Sequence, residues 1–130
     1  MQYQVTLPFG EKSALQELME RVSHGCTPTL AVLKRLGEAG PGMLSYPSPG
    51  YLLALDIPAQ SGLVSFLGEL DKFLLEHGGR LYLAKDAVSR PEIIAKMYPR
   101  LDEFRNIKAR LDPNNLFVSN LARRLGIISK

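Results

Sequence analysis

GLVSFLGELDKFLLEH, residues 62–77, is the stretch on which the fold turns. Leu63, Phe66, Leu67, Leu70, Phe73 and Leu74 recur at i, i+3, i+4, i+7, i+10 and i+11, which is one apolar stripe of an α-helix. Gly78-Gly79 breaks it. Two short apolar runs flank it, YLLALDI at 51–57, stopped by Pro58, and RLYLA at 80–84. Both read as strands, so the helix is a crossover between them.

The same arrangement repeats toward the N-terminus. QYQVTL at 2–7 alternates, with Tyr3, Val5 and Leu7 on one side and Gln2, Gln4 and Thr6 on the other. That is a half-buried strand. Residues 11–23 carry Ala14, Leu15, Leu18, Met19 and Val22 at helical spacing, with Gly25 placed as a C-terminal cap. TLAVLKRL at 29–36 reads as a strand ending at Gly37. Residues 37–50, with Gly37, Gly40, Pro41, Gly42, Pro47, Pro49 and Gly50, read as a long loop of the kind that often carries function. The order β-α-β-β-α-β predicts an α+β, ferredoxin-like antiparallel sheet with its helices on one face. Extra helices follow. Ser89 stands three before Glu92 as in a capping box, and Pro91 suits a first helical position. Residues 100–111 offer Leu101, Phe104, Ile107, Ala109 and Leu111 for burial, and Asp112-Pro113-Asn114-Asn115 is turn chemistry.

At 130 residues, 45% hydrophobic and 22% charged, the chain is expected to form one domain, 1–130, with a core that needs no staples. A net charge of +3 is too weak to argue for nucleic acid. The single cysteine, Cys26, excludes an internal disulfide and fits a reducing compartment. With only His24 and His77 no metal site is expected. No run is long and apolar enough for a membrane span.

The candidate chemistry is sparse. No GxGxxG loop, phosphate-binding loop or nucleophile elbow is present. Ser45 and Ser48 have no histidine placed to activate them, and Cys26 reads as a small buried residue. His77, in the last turn of its helix, reads as a charge favourable to the helix dipole. Lys85 follows the fourth strand and precedes Asp86. It is either a solvated lysine with an acidic neighbour or a cation set against a developing oxyanion. Gln2 and Gln4 share a strand face, where their amides either meet solvent or hydrogen-bond sugar hydroxyls. Lys34 interrupts an apolar strand, its head snorkelling to the sheet edge or reaching a ligand. Arg123 and Arg124 either grip an anion or decorate the last helix.

Together these segments resemble a known family. YLAKDA (82–87), KMYPRLDEF (96–104) and LDPNNLFVSNLARRLG (111–126) are the most specific pieces; GMLSYPSPGYLLALDIP (42–58), LAVLKRLG (30–37) and the opening QYQ extend the likeness over nearly the whole chain. They resemble the C-terminal end of the FAD-linked oxidases of the vanillyl-alcohol-oxidase type, in particular the decaprenylphosphoryl-ribose 2′-oxidase branch and the aldonolactone oxidases. The resemblance implies a substrate-binding, or cap, domain of a larger FAD-dependent oxidoreductase whose FAD-binding half is absent. It implies Lys85 as the catalytic lysine near flavin and sugar, and Gln2, Gln4 and Lys34 as pocket residues. Where the ribose oxidases carry asparagine and cysteine on the third strand, this chain has Leu52 and Ala54. The implied pocket is therefore less polar, and covalent chemistry at that cysteine position is not expected.

The implied partners are the FAD-binding domain and a sugar or lactone substrate, lipid-linked in some relatives. The isolated chain is expected to be inactive and not to hold FAD tightly. A cytoplasmic location is expected, with membrane association open because relatives handling lipid-linked sugars work at the membrane. The alternative is a stand-alone ferredoxin-like binding or regulatory module, a homodimer through its exposed sheet. An RNA-binding domain of the same strand order ranks low, because its third strand would need aromatic and basic residues and YLLALDI has one aromatic and no basic side chain.

Overall fold

The computed structural model describes residues 1–128. Its elements are β1 (Gln2–Pro8), α1 (Lys12–Gly25), β2 (Leu30–Leu36), β3 (Gly50–Asp56), α2 (Leu63–Glu76), β4 (Arg80–Leu81), a 3-10 turn (Leu83–Lys85), α3 (Pro91–Met97), α4 (Leu101–Leu111) and α5 (Asn120–Arg124). The strands form one sheet in the order β2-β3-β1-β4, and each of its three pairings is antiparallel. This is the ferredoxin-like βαββαβ arrangement with three added helices.

One face of the sheet builds the core. Tyr3, Val5 and Leu7 of β1, Leu53 and Leu55 of β3 and Leu81 of β4 are buried with Leu18 and Val22 of α1 and Leu67, Leu70 and Leu74 of α2. Each such side chain contributes about 1.5–3 kcal/mol when fully buried, so this layer dominates stability. A polar tie crosses it: Tyr3 Oη donates to Asp71 Oδ1 at 2.8 Å, both residues buried. Burial pushes the Asp71 carboxyl up, opposed by the neighbouring Ser89 and Tyr3 hydroxyls.

Several expectations need correction. The fourth strand is two residues long, not five. The Tyr82 amide still donates to Gln4 O at 2.9 Å, but Lys85 N then bonds back to Tyr82 O and the chain coils. The capping box at 89–92 does not form. Arg90 is the cap residue and makes no side-chain bond, while Ser89 is buried; Pro91 does open the helix. Gly25 closes α1 as its last residue, and Cys26 follows as the cap. A Cβ on Gly25 would fall 2.2 Å from the Phe66 ring, so its small size matters rather than its flexibility. Met19 stays exposed, and on α4 only Leu101 is buried. His77 Nδ1 lies 2.9 Å from Glu11 Oε2, so a side-chain partner rather than the helix dipole alone explains it.

Gly50 opens β3 opposite Pro8, and an added Cβ would lie 2.2 Å from Leu7 O. Gly50→Ala is therefore expected to cost about 2–3 kcal/mol in urea unfolding, because the obstacle is backbone. An unchanged midpoint would show that the β1–β3 pairing yields more readily than its register implies.

Candidate functional site

The register sorts the remaining strand residues onto the opposite face. Three rows cross it: Lys34, Leu52, Thr6 and Arg80; then Val32, Ala54 and Gln4; then Leu30, Asp56 and Gln2. Opposed side chains in such rows stand about 5 Å apart at Cβ. Gln2, Gln4, Lys34, Leu52 and Ala54, separated by as many as 52 positions in the chain, thus share one surface.

They are not equally accessible. Thr6 and Leu52 are buried, although neither belongs to the helix-side core. The segment between β2 and β3 folds back at this end. Arg80 Nη1 donates to Ser45 O at 2.8 Å and Arg80 Nε to Met97 O at 3.1 Å, and its guanidinium lies 5.1 Å from the Tyr98 ring centre. Tyr46 is buried with its ring 4.5 Å from that of Tyr82. Burial pushes the Tyr46 phenol well up, opposed by the Gln4 side chain beside it. At this end of the sheet Leu52 is buried, whereas Gln4 and Ala54 are half-buried and Lys34 is exposed. Gln2 Nε2 donates to Asp56 Oδ1 at 2.8 Å, which orients its amide and leaves its carbonyl oxygen for a ligand.

Lys85 is tied to β1 through the backbone of its turn. The Tyr82–Gln4 bond pins the start of the 3-10 turn to β1, and Lys85 N bonds to Tyr82 O at 2.9 Å. The side chain is exposed and makes no ion pair among the described residues. Its acidic neighbour is committed elsewhere. Asp86 Oδ2 lies 2.6 Å from Arg124 Nη2, and Asp86 Oδ1 accepts from the amides of Val88 and Ser89 at 3.2 and 2.8 Å. An exposed lysine with no ion pair among the described residues suits both readings of Lys85, the solvated side chain and the cation set against an oxyanion. Arg124 grips a carboxylate of this chain, and Arg123 is exposed.

Other candidates fall away from the surface. Burial pushes the Cys26 thiol up, away from nucleophilic chemistry. No three His, Cys, Asp or Glu side chains among the described residues are grouped to hold a metal ion. No helix among the described residues is long and apolar enough to cross a membrane. Arg80, Tyr46 and Tyr82 are the residues that sequence reasoning missed; Arg124 was a candidate anion grip, and the anion it holds is Asp86. For Arg80 and Tyr82 the signal was present, since they alternate with Leu81 on a strand; Tyr46 sits in a loop without periodicity.

The surface defines a class: a ferredoxin-like domain that spends one sheet face on its core and offers polar amides and a lysine on the other. A family model described as D-arabinono-1,4-lactone oxidase matches residues 57–125. The chain is also 37% identical over 129 residues, 98% of its length, to the decaprenylphosphoryl-beta-D-ribose oxidase of Mycolicibacterium smegmatis, of which it covers 28%. It is 43% identical over 127 residues, 96% of its length, to an uncharacterized protein of the mprA 5′ region of Streptomyces coelicolor, of which it covers 35%. The chain belongs to the D-arabinono-1,4-lactone oxidase family, and it spans about a third of the length of the curated relatives it matches.

The turn that leads into α5 depends on Asp112. Its carboxylate takes the Lys108 ammonium and the amides of Leu116 and Phe117 at 2.8 and 2.9 Å. The Lys108 contact first, and those amides with it, hold its carboxyl at about 2 against an ordinary 3.8. A depressed carboxyl stabilises the fold above its unfolded value, and that contribution is lost as pH falls from about 4 through 2. The stability gap between the native chain and Asp112→Asn, measured by urea unfolding, is expected to narrow across that window. A gap independent of pH from 5 to 2 would show that the turn does not use the charge.

Proposed function

We propose that this chain is the substrate-binding part of an FAD-dependent oxidoreductase that oxidises a hydroxyl of a sugar or aldonolactone. The observation that carries the reading is the convergence of Gln2, Gln4, Lys34 and Ala54 from three strands onto the sheet face that the core leaves free. Family membership supports the reaction class.

The surface fits one end of the cofactor. Val32 and Ala54 make a small flat apolar patch beside the half-buried Gln4, suited to lie against a planar ring. The sequence has no Gly-rich phosphate-binding loop, so holding the pyrophosphate is assigned to an FAD-binding partner domain. When bound, FAD supplies the acceptor for the hydride that leaves the carbinol carbon.

The chain's own residues then orient the substrate. The amides of Gln2 and Gln4 both donate and accept, which matches hydroxyls that do the same. That pairing selects which hydroxyl, and so which C–H bond, faces the ring. Lys34 gives a second cationic donor at the outer edge. Lys85 holds the reacting hydroxyl oxygen and stabilises the negative charge that builds there as the C–H bond breaks. Ala54 and the buried Leu52 offer no polar group, so selectivity rests on the amides and lysines.

Because the surface is exposed, a ligand on the isolated chain is gripped from one side and weak binding is expected. Titration of the 130-residue chain with D-arabinono-1,4-lactone, followed by amide and side-chain NMR, is expected to shift Gln2, Gln4, Lys34, Ala54 and Lys85. Gln4→Ala is expected to weaken binding about tenfold, the loss of one or two hydrogen bonds at 1.4 kcal/mol per decade. Shifts confined to the helical face would overturn the reading. Concentration-dependent shifts of the same residues without lactone would replace it with the dimeric binding module.

A further inference from the structure

We propose that Arg124 is a positioning residue for Lys85, and that it acts by keeping Asp86 out of that lysine's reach. The inference deepens the reading of Lys85 as the cation that faces the substrate, and rests on it. Asp86 is the residue next to Lys85, and its side chain is only 2% exposed. Arg124 reaches it from the far end of the chain with a planar fork. Nη2 meets Asp86 Oδ2 at 2.6 Å and Asp86 O at 3.3 Å, and Nη1 donates to Ser89 O at 2.7 Å. With Oδ1 taken by the Val88 and Ser89 amides, both carboxylate oxygens are filled.

The fork itself is well anchored. Ser119 Oγ accepts from Ala122 N at the start of α5, and Leu125, next to Arg124, is fully buried. The C-terminal helix is thereby fastened to the 86–89 loop, while the neighbouring Lys85 is exposed with no ion pair among the described residues.

Removing the guanidinium would strand a buried carboxylate with two amides for company. Uncompensated buried charge is strongly unfavourable, and the cheapest relief is for Asp86 to swing to the adjacent ammonium. Lys85 would then be neutralised, and its loop released. Lysine at position 124 would supply the charge without the three-acceptor geometry.

The test is competitive trace acetylation of the amines of the full 130-residue chain at fixed pH, read by mass spectrometry, with Lys72 on α2 as internal reference and circular dichroism as the check on folding. In Arg124→Gln, Lys85 labelling is expected to fall at least threefold, with Lys72 unchanged. Arg124→Gln combined with Asp86→Asn is expected to restore it, because no carboxylate remains to pair. Arg124→Lys should lie between. A purely structural role would slow neither amine selectively. Unchanged Lys85 labelling in Arg124→Gln overturns the proposal, and so does failure of the double variant to recover. If Arg124→Gln does not fold, Arg124→Lys against Arg124→Lys with Asp86→Asn gives the same comparison.

The lactone titration separates the two readings. Lys85→Met that leaves lactone binding intact, with labelling as expected, removes the substrate role and keeps the clasp. Lys85→Met that weakens lactone binding, with labelling insensitive to Arg124, does the reverse.

Discussion

Val5 sits opposite Leu53 on one side and Leu81 on the other, and most of the molecule depends on that double pairing. β1 is bonded along both edges, so its side chains are assigned to faces by parity alone. Odd positions Tyr3, Val5 and Leu7 enter the core; even positions Gln2, Gln4 and Thr6 face away. A slip of one residue would bring Gln4 inside and turn Val5 and Leu7 to water. Each misplaced aliphatic side chain forfeits about 1.5–3 kcal/mol, and a buried amide without partners costs about 1–3 more. No interaction on the open face competes with a penalty of that size. The site is therefore arranged by the core, through the backbone they share.

Two arginines complete what the sheet begins. Arg80 fastens the glycine- and proline-rich segment after β2, using the carbonyls of Ser45 and Met97. Arg124 fastens the loop after the 3-10 turn, using Asp86 and the carbonyl of Ser89. Each bonds partners at least seventeen positions away, and each closes one irregular segment against the scaffold. Loops without a ladder need such ties, because their backbone groups have no regular partners.

The elements were legible where a period was long enough to show. Leu63 through Leu74 gave α2, and the alternation of QYQVTL gave both the core and the open face of β1. Gln2 and Gln4 stood out because they share one face of an alternating strand, Lys34 because it interrupts an apolar one, and their shared surface follows from register. What stayed hidden is non-local. The sequence 80–84 is a good strand by composition, yet beyond Leu81 the chain coils back on Tyr82. The burial of Leu52, on the face away from the helix-side core, has no signal in the strand pattern. Asp86 read only as an acidic neighbour of Lys85, because adjacency is visible and its partner Arg124, thirty-eight positions on, is not. The Ser89–Glu92 spacing matched a capping box, but Ser89 is buried beside Asp71 and cannot turn to the helix end.

β2 differs from its neighbours in having both sides largely exposed and only one bonded edge. Leu30 and Leu33 remain about half exposed, on opposite faces of the strand. Its amides should exchange with solvent through local opening, well before those of β1, which open only with the whole domain. Lys34 rides on that least protected strand. The two candidate lysines thus belong to different dynamic regimes: Lys85 stands beside a loop clasped by Arg124, Lys34 on a margin that breathes.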